Sequence, residues 1–495
     1  MPDLLDRLAW DADDLPRQLS AASGWRIDDA ESLIRLHERL LFLRAYPRNA
    51  EVLRLADSLL FSFARRTAEC PDLEPFEDPT VSGIAGTSLS AVFSFEVARR
   101  LHARYPRQIQ IDWENYDRTD KFGPVLRRLL PLVEEDWPVE AHVAFRAWMD
   151  AAKPRGASEL GWLLDRIERL PLSARDRADL YESLELLLVW QIRDVRTSRS
   201  RLRLPVRKPF YHDGPLLRRA DVSLARELEA PPMAITRLSR AQARKILDVI
   251  LDTSAMRYRE LYGFTHPDIG HVYRADAGRG VEVYFFGVPP EWRLPLRAYH
   301  CGMYFKNGVP IGYVEVLSLF ERAEIGFNLY YTFRDGESAW LYARLLRLFR
   351  QMLGVTCFSV DPYQLGWQNE EALESGAFWF YRKLGFRPLD ADVARLVERE
   401  ERKMRQTPGY RSSPRTLDKL ARSYVLFEGP GSHPGDWDKF RARKLAMALD
   451  PAHLFDIVPG NEAIMRAKHG PEESRYLRLM QRHLPLRAAM IKLGS

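Results

Sequence analysis

The chain has 495 residues, too many for one hydrophobic core of ordinary size, so at least two domains are expected. Hydrophobic residues make up 46% of it, which excludes wholesale disorder, and 74 basic against 68 acidic residues leave a small net charge of +6, compatible with an anionic ligand without requiring nucleic acid. The three cysteines, Cys70, Cys301 and Cys357, lack ligand spacing and argue against a disulfide framework or a structural zinc.

The amino-terminal residues are acidic and lack the basic segment and apolar run of a signal peptide. No apolar run approaches the roughly 18 residues that a membrane-spanning helix requires. The sequence therefore predicts a cytoplasmic protein with no membrane association.

Residues 1 to 230 are predicted to form a mostly helical domain. Amphipathic runs at residues 28–47 and 51–66 indicate an antiparallel helix pair. Residues 109–113 show the only clear strand-like alternation, and residues 157–193 are expected to be helical. A small-residue turn with Gly83 and Gly86 could cradle a phosphate, but it lacks a following Lys, and Ser88 or Ser90 capping a helix is the plainer interpretation.

Two charged segments of this domain leave alternatives open. Residues 193–208 are rich in Arg and could contact phosphate or nucleic acid, or could form a solvated connector. The acidic residues between Asp112 and Asp120 could ligate a metal, but their spacing matches no known ligand pattern, and a solvated acidic loop is favoured.

Residues 231 to 430 change to strands and turns. The expected order is strand, helix, four strands, helix, strand and short helix, with residues 423–429 as a final strand after a charged insertion at 390–419. Asn307-Gly308 between two apolar runs is a strong hairpin signal. Residues 431 to 495 are predicted to form a helical carboxy-terminal extension.

The stretch from Glu324 to Pro388 is the most informative. An apolar strand leads through a Gly-containing turn into a helix whose apolar residues recur at helical spacing and which Gly354 should close. A second strand and a short aromatic helix follow. A strand that enters a helix in this way leaves backbone N–H groups without helical partners, which suits a pyrophosphate.

This stretch resembles the GNAT superfamily of acyl-CoA-dependent N-acyltransferases, whose loop pattern is Arg or Gln, two residues, Gly, one residue, then Gly or Ala. Gly336 and Ser338 fit the last two fixed positions, but Phe333 stands where the first requires Arg or Gln. A slip of one residue would instead place Arg334 and Ala339 at the outer positions and lose the central Gly. Residues 377–386 are similar to the segment that ends the family core, with Tyr381 at the position of its conserved Tyr.

The resemblance implies an α/β (α+β overall) fold in residues 231–430, with a GNAT-like mixed central sheet flanked by helices and preceded by the helical domain. It implies acetyl-CoA or another acyl-CoA as co-substrate and a small-molecule or peptide amine as acceptor. The residues then expected at the cofactor are Tyr331, Phe333, Arg334, Asp335, Gly336, Glu337, Ser338, Ala339 and Asn369. Asn369 could equally cap a helix.

For catalysis, the resemblance implies that the Tyr381 phenol protonates the leaving thiolate, although an aromatic on a short helix is also ordinary core. Glu324 and Glu315, on the strands that should face the cleft, are candidate general bases or surface residues. A backbone N–H near residues 330–333 would polarise the thioester carbonyl. The alternatives are a catalytically inactive GNAT-like binding or scaffold protein, which the departure at Phe333 makes credible, and a nucleic-acid-associated protein.

Overall fold

The computed structural model describes residues 5–130, 144–193, 195–257, 260–294 and 297–440. The chain divides into two compact units, one of Met1–Arg203 with Asp248–His266 and the other of Leu204–Leu247 with Pro267–Ser495. The boundary predicted near residue 230 falls inside the second unit. The short helices predicted beyond residue 440 lie outside the described residues.

Nine α-helices lie within the described residues 5–130 and 144–193. They are α1 (Leu15–Ala22), α2 (Ala30–Ala45), α3 (Ala50–Phe61), α4 (Phe63–Ala68), α5 (Phe95–Arg104), α6 (Phe122–Leu129), α7 (Phe145–Ala152), α8 (Glu159–Glu168) and α9 (Ala174–Glu182). The predicted pair is confirmed as α2 and α3, which pack against each other. Asp29 and Asn49 cap their first turns, accepting from the backbone N–H of Ser32 and Val52.

The first unit also contains a three-stranded antiparallel sheet. Its strands are β1 (Ser88–Val92), β2 (Ile109–Ile111) and β3 (Leu187–Gln191), with β3 in the centre. The predicted strand at Ile109 is confirmed, but the helix predicted to continue to residue 193 is wrong, because β3 ends it. Ser88 and Ser90 lie in β1 rather than at a helix cap, and the next helix begins after Ser94. A short aliphatic run is compatible with either a buried strand or a buried helix, which explains both errors.

The second unit is built on a nine-stranded mixed sheet. Its strands are β4 (Ile235–Arg237), β5 (Tyr273–Gly278), β6 (Val281–Gly287), β7 (Ala298–Lys306), β8 (Val309–Leu319), β9 (Arg322–Leu329), β10 (Cys357–Val360), β11 (Arg387–Pro388) and β12 (Val425–Glu428). The spatial order is β11-β12-β10-β9-β8-β7-β6-β5-β4. Among the strands of the described ranges, only β9 and β10 pair in parallel. The hairpin predicted at Asn307-Gly308 is confirmed, and both residues take the positive φ that such a turn requires, 47° and 75°.

The remaining helices of the described chain are α10 (Leu224–Glu229), α11 (Arg240–Met256), α12 (Tyr262–Thr265), α13 (Ser338–Leu353), α14 (Pro362–Leu365), α15 (Glu370–Glu374), α16 (Ala377–Lys383), α17 (Ala391–Gln406) and α18 (Pro414–Ala421). The helix predicted before Gly354 is confirmed as α13, which this glycine ends in the left-handed conformation. Within the described ranges, no helix has both the length and the apolar content needed to cross a bilayer. The protein is thus of mixed α/β class with a large mixed sheet.

Candidate functional site

Strands β9 and β10 are parallel neighbours that pair only near their beginnings. Arg322, Ala323 and Glu324 of β9 lie opposite Cys357, Phe358 and Ser359 of β10. β9 then continues to Leu329, whereas β10 ends at Val360. In the part of the chain that the structure describes, residues 325–329 pair with β8 alone. The edge of residues 325–329 that faces away from β8 therefore has no strand partner in the described chain; we call the place beside this unpaired edge the gap, and alternate backbone groups of β9 point toward it.

The chain leaves β9 and enters α13 beside this gap. Glu337 is the N-cap residue, and its carbonyl accepts the N–H of Leu341 at 3.0 Å. Among the described residues, the backbone N–H groups of Ser338, Ala339 and Trp340 donate no hydrogen bond. These free donors, with the positive end of the helix dipole behind them, form a place where an anion can bind.

The carboxylate of Glu337 does not cap the helix but is held by basic groups from other elements. Its side chain is 2% exposed and accepts from Arg279 Nε at 3.1 Å, from Lys306 Nζ at 3.4 Å and from the Leu217 N–H at 3.1 Å. Burial alone would raise the pKa of Glu337, but the hydrogen bonds from Arg279 and the charge of Lys306 outweigh it and lower that pKa. Burial also lowers the pKa of Lys306 to about 7, although the negative charge of Glu337 acts to raise it.

The other predicted loop residues lie in different environments. Phe333 is fully buried, so its side chain cannot meet a diphosphate there. Arg334 pairs with Glu371 at 2.5 Å, while Asp335 and Tyr331 are exposed. Gly336 is not among the glycines with positive φ, so its backbone conformation does not require glycine.

Asn369 caps α15. Its Oδ1 accepts the N–H of Ala372 at 3.2 Å and its Nδ2 donates to the Tyr363 carbonyl at 3.2 Å. Capping therefore accounts for both polar atoms of this side chain.

The expected carbonyl-polarising N–H groups are partly occupied. The Tyr330 N–H donates to the Ile311 carbonyl at 3.0 Å, and the Phe333 N–H donates to the Tyr330 carbonyl at 2.9 Å. These two amides are engaged within the fold and cannot polarise a thioester, whereas the expectation for Tyr331 and Thr332 stays a prediction. The backbone N–H groups of β9 that face the gap remain candidates for polarising the thioester carbonyl.

Glu315 and Glu324 lie on one face of the sheet. Glu315 of β8 is opposite Gly326 of β9, two positions beyond Glu324, so the two carboxylates are diagonal neighbours. Burial raises the pKa of Glu315, although Tyr299 donates to it at 2.6 Å. Glu324 lies 3.4 Å from Arg297. The structure thus brings both candidate bases together near the point where β9 and β10 part.

Asp361 lies near these carboxylates, although no sequence motif singled it out. It follows β10 directly and caps α14, accepting from the N–H of Tyr363 at 2.7 Å and of Gln364 at 3.3 Å. Burial first, and then the negative charge of Glu324, raise the pKa of Asp361. The same two effects raise the pKa of Tyr424, which immediately precedes β12. The proximity of Glu324 and Asp361 arises from strand pairing, which local sequence patterns do not reveal.

Tyr381 lies inside the aromatic layer between the sheet and α13. Its side chain is 3% exposed, and its ring lies 5.4 Å from that of Tyr342 and 5.7 Å from that of Phe386. Burial and the nearby charge of Asp361 raise the pKa of Tyr381, so its hydroxyl stays protonated at neutral pH. The Tyr342 hydroxyl is buried and has no hydrogen-bond partner in the described chain. Sequence reasoning missed Tyr342, because it falls within the apolar pattern of α13.

Exposed aromatic residues follow each of the two diverging strands. Tyr331 comes after β9 and is 64% exposed, while Tyr363 and Trp367 come after β10 and are 54% and 40% exposed. Large exposed aromatics on both loops are suited to contact with a flat or apolar ligand part.

The basic segment of the first unit is partly used for internal contacts. Arg199 is buried and donates to both carboxylate oxygens of Glu38 at 2.9 Å, and Arg203 pairs with Asp57 at 2.9 Å. These cations are therefore not free for nucleic acid. Gly86 also has a packing role, because an added Cβ would lie 2.2 Å from Thr67 Oγ1.

Ser200, His37 and Glu38 form a buried hydrogen-bonded chain in the order nucleophile, base and acid. Ser200 Oγ lies 2.9 Å from His37 Nε2, and His37 Nδ1 lies 2.9 Å from Glu38. The side chains of Ser200 and His37 are fully buried, and Ser200 Oγ also accepts the Ala85 N–H at 3.2 Å. Without solvent access this chain is a structural network of the core. In the described ranges, no group of three or more His, Cys, Asp or Glu side chains could hold a metal ion.

Comparison with protein-family models, with curated proteins and with solved structures finds no match to this chain.

Proposed function

We propose that the second unit is a GNAT-like N-acyltransferase that transfers an acyl group from acetyl-CoA or another acyl-CoA to an amine. The observation that carries this proposal is the gap between the parallel strands β9 and β10, directly followed along the chain by the free N–H groups at the start of α13. In the family that this stretch resembles, the same succession of elements holds the thioester.

The cofactor would be bound mainly by backbone groups. The diphosphate would accept from the N–H groups of Ser338, Ala339 and Trp340, because three convergent donors and a helix dipole favour negative charge. The pantetheine arm would enter the gap as an additional strand, since its amide groups can pair with the unpaired side of residues 325–329. A side chain at Phe333 is not needed for either contact.

The reaction would then proceed by direct attack. The neutral amine nitrogen attacks the thioester carbonyl carbon, the carbon–sulfur bond breaks, and the nitrogen loses its proton to Glu315. The raised pKa of Glu315 brings this carboxylate closer to the operating pH, which improves a general base. Tyr381, which stays protonated, would donate a proton to the leaving thiolate of CoA.

A catalytically inactive GNAT-like binding protein is the second candidate, and the burial of Tyr381 favours it. With 3% of its side chain exposed, this phenol belongs to the core unless the thioester reaches deep into the gap. Both candidates require CoA binding, whereas only the first requires turnover.

Two measurements on the full chain test the proposal. Calorimetric titration with acetyl-CoA should show saturable binding, and CoA thiol release should appear with at least one member of a panel of primary amines and amino-terminal peptides. Binding without thiol release for any amine would support the inactive binding protein. An absence of binding would exclude both.

A further inference from the structure

The second unit contains a cleft that is separate from the residues proposed for acyl transfer. It has a volume of about 780 Å³ and lies among α15, α16, α17 and α18. Neither Tyr381, nor the carboxylates Glu315 and Glu324, nor the first turn of α13 lines it. The proposed acyltransferase therefore leaves this cleft without a role.

One side of the cleft is apolar and held in place. Trp379 and Phe380 of α16 contribute aromatic surfaces, and Met404 and Leu417 contribute aliphatic surfaces. The Phe380 ring stacks almost parallel to that of Phe327 on β9, with a centroid distance of 6.2 Å and an angle of 6°. These contacts make the wall a preformed surface for a flat or extended apolar group.

A buried polar chain fixes the position of the Trp379 indole. Its Nε1 donates to Ser412 Oγ at 3.2 Å, and Ser412 donates to Glu400 at 2.7 Å. Glu400 also accepts from Tyr410 at 2.9 Å and from Lys403 at 2.8 Å. Burial alone would raise the pKa of Glu400, but these hydrogen bonds outweigh it and lower that pKa. Because this carboxylate stays ionised and bonded, the wall is ordered before any ligand arrives.

The rim of the cleft is basic. Arg219, Lys383 and Arg411 line it against a single carboxylate, Glu374. Lys383 and Arg411 are exposed, and neither forms an ion pair with any residue in the described ranges. Arg219 donates to the Lys383 carbonyl at 2.8 Å, which holds its guanidinium at the same rim. An excess of unneutralised cations beside an aromatic wall selects for a negatively charged partner.

We propose that this cleft binds an amphipathic anion, a small molecule with an apolar, preferably aromatic, body and one carboxylate or phosphate group. The body packs on Trp379 and Phe380, and the charged group lies between Lys383 and Arg411. Charge-assisted hydrogen bonds give such a ligand its orientation. The site goes beyond the proposed acyl transfer and does not depend on it.

The test compares matched probes by calorimetric titration of the full chain. 4-Phenylbutyrate, its neutral amide 4-phenylbutanamide, and 3-phenylpropyl phosphate share the phenyl ring and the three-carbon linker and differ at the polar end. We expect the carboxylate or the phosphate to bind at least about tenfold more tightly than the amide, because hydrogen bonds to a charged group are stronger than those between neutral groups. The stronger of the two anions identifies the natural class of ligand.

Single substitutions at the rim of the cleft and outside it test where the probe binds. Lys383→Met and Arg411→Met should each weaken the preferred anion about tenfold, whereas Lys419→Met, which removes an exposed lysine of α18 outside the cleft, should leave its affinity unchanged. The proposal is overturned by an absence of binding, by equal affinity for acid and amide, or by equal affinity in all three variants. If acetyl-CoA displaced the probe, the claim that the cleft is separate from the acyl-CoA site would be overturned. Failure of acetyl-CoA binding alone would affect only the acyltransferase proposal.

Discussion

Glu324 and Ser359 form the last residue pair that joins β9 to β10. Beyond this pair β10 ends, and Asp361 follows it two residues after Ser359, while Gly326 follows two residues after Glu324. Burial and the negative charge of Glu324 both raise the pKa of Asp361. The proposed chemistry is concentrated at this point.

A charge placed in the Gly336 turn tests the diphosphate contact. Gly336→Asp should weaken acetyl-CoA binding at least about tenfold, because a carboxylate near the diphosphate adds like-charge repulsion. Gly336→Asn is the matched control, since Asn has nearly the same shape and no charge, and the absence of positive φ lets both side chains fit the backbone. Titration calorimetry at two salt concentrations measures the difference. Equal affinities of the two variants would mean that the diphosphate lies elsewhere.

Removing the hydroxyl of Tyr381 tests the leaving-group role. Tyr381→Phe should lower kcat about 100-fold, in the range typical of general acid catalysis, and leave acetyl-CoA affinity nearly unchanged. Tyr342→Phe is the control, because it removes a neighbouring buried hydroxyl that has no hydrogen-bond partner in the described chain. That change should leave kcat unaltered and should not destabilise the fold. If both variants, or neither, lost activity, the role assigned to Tyr381 would be withdrawn.

The pH dependence of the reaction tests the general base. Wild-type kcat/KM should rise with pH through the raised pKa of Glu315 and then level off, because only the carboxylate form accepts the proton. Glu315→Gln should lose this rise and lower the plateau by about 100-fold. Glu324→Gln should retain the rise. A pH profile that survives unchanged in Glu315→Gln would transfer the base role to another group.

Because His37 is buried, we expect the first unit to lose folding stability in acid. Burial lowers the pKa of His37 from 6.5 to about 4, so the folded state binds its proton more weakly than the unfolded state. Its contribution to stability is complete above pH 6.5 and is lost as the pH falls toward 4, by about 3 kcal/mol in all. The pKa of Glu38 is lowered to about 2, so its contribution to folding stability is also lost as the pH falls below about 4.5.

Denaturant unfolding of the full chain between pH 7 and pH 4 measures this effect. His37→Gln should flatten the dependence of the midpoint on pH, whereas His433→Gln, at an exposed position, should follow the wild type. An unchanged slope in His37→Gln would assign the acid sensitivity to other groups.

The sequence identified the elements with strong local signals. The periodicity of α13 and the closing Gly354 fixed one helix, and Asn307-Gly308 fixed one hairpin, because each depends on neighbouring residues alone. Strands β1 and β3 were missed, because short apolar runs do not distinguish a buried strand from a helix. Strand β5 was also missed, so five consecutive strands, β5 to β9, stand where four were expected.

The candidate site was predictable only in part for a related reason. Glu315 and Glu324 could be placed on adjacent strands, but the contacts of Glu337 with Arg279, Lys306 and Leu217 join residues far apart in the chain. Asp361 likewise meets Glu324 only through strand pairing. Such contacts depend on the register and order of the strands, which no local pattern specifies.

Hydrogen exchange at backbone amides, measured with and without acetyl-CoA, shows whether backbone groups hold the cofactor. We expect slower exchange at two places in the liganded protein, the first turn of α13 at residues 338–340 and the unpaired side of β9 at residues 325–329. Saturating acetyl-CoA with no change at either place, or with protection confined to other elements, would contradict the claim that these backbone groups hold the cofactor.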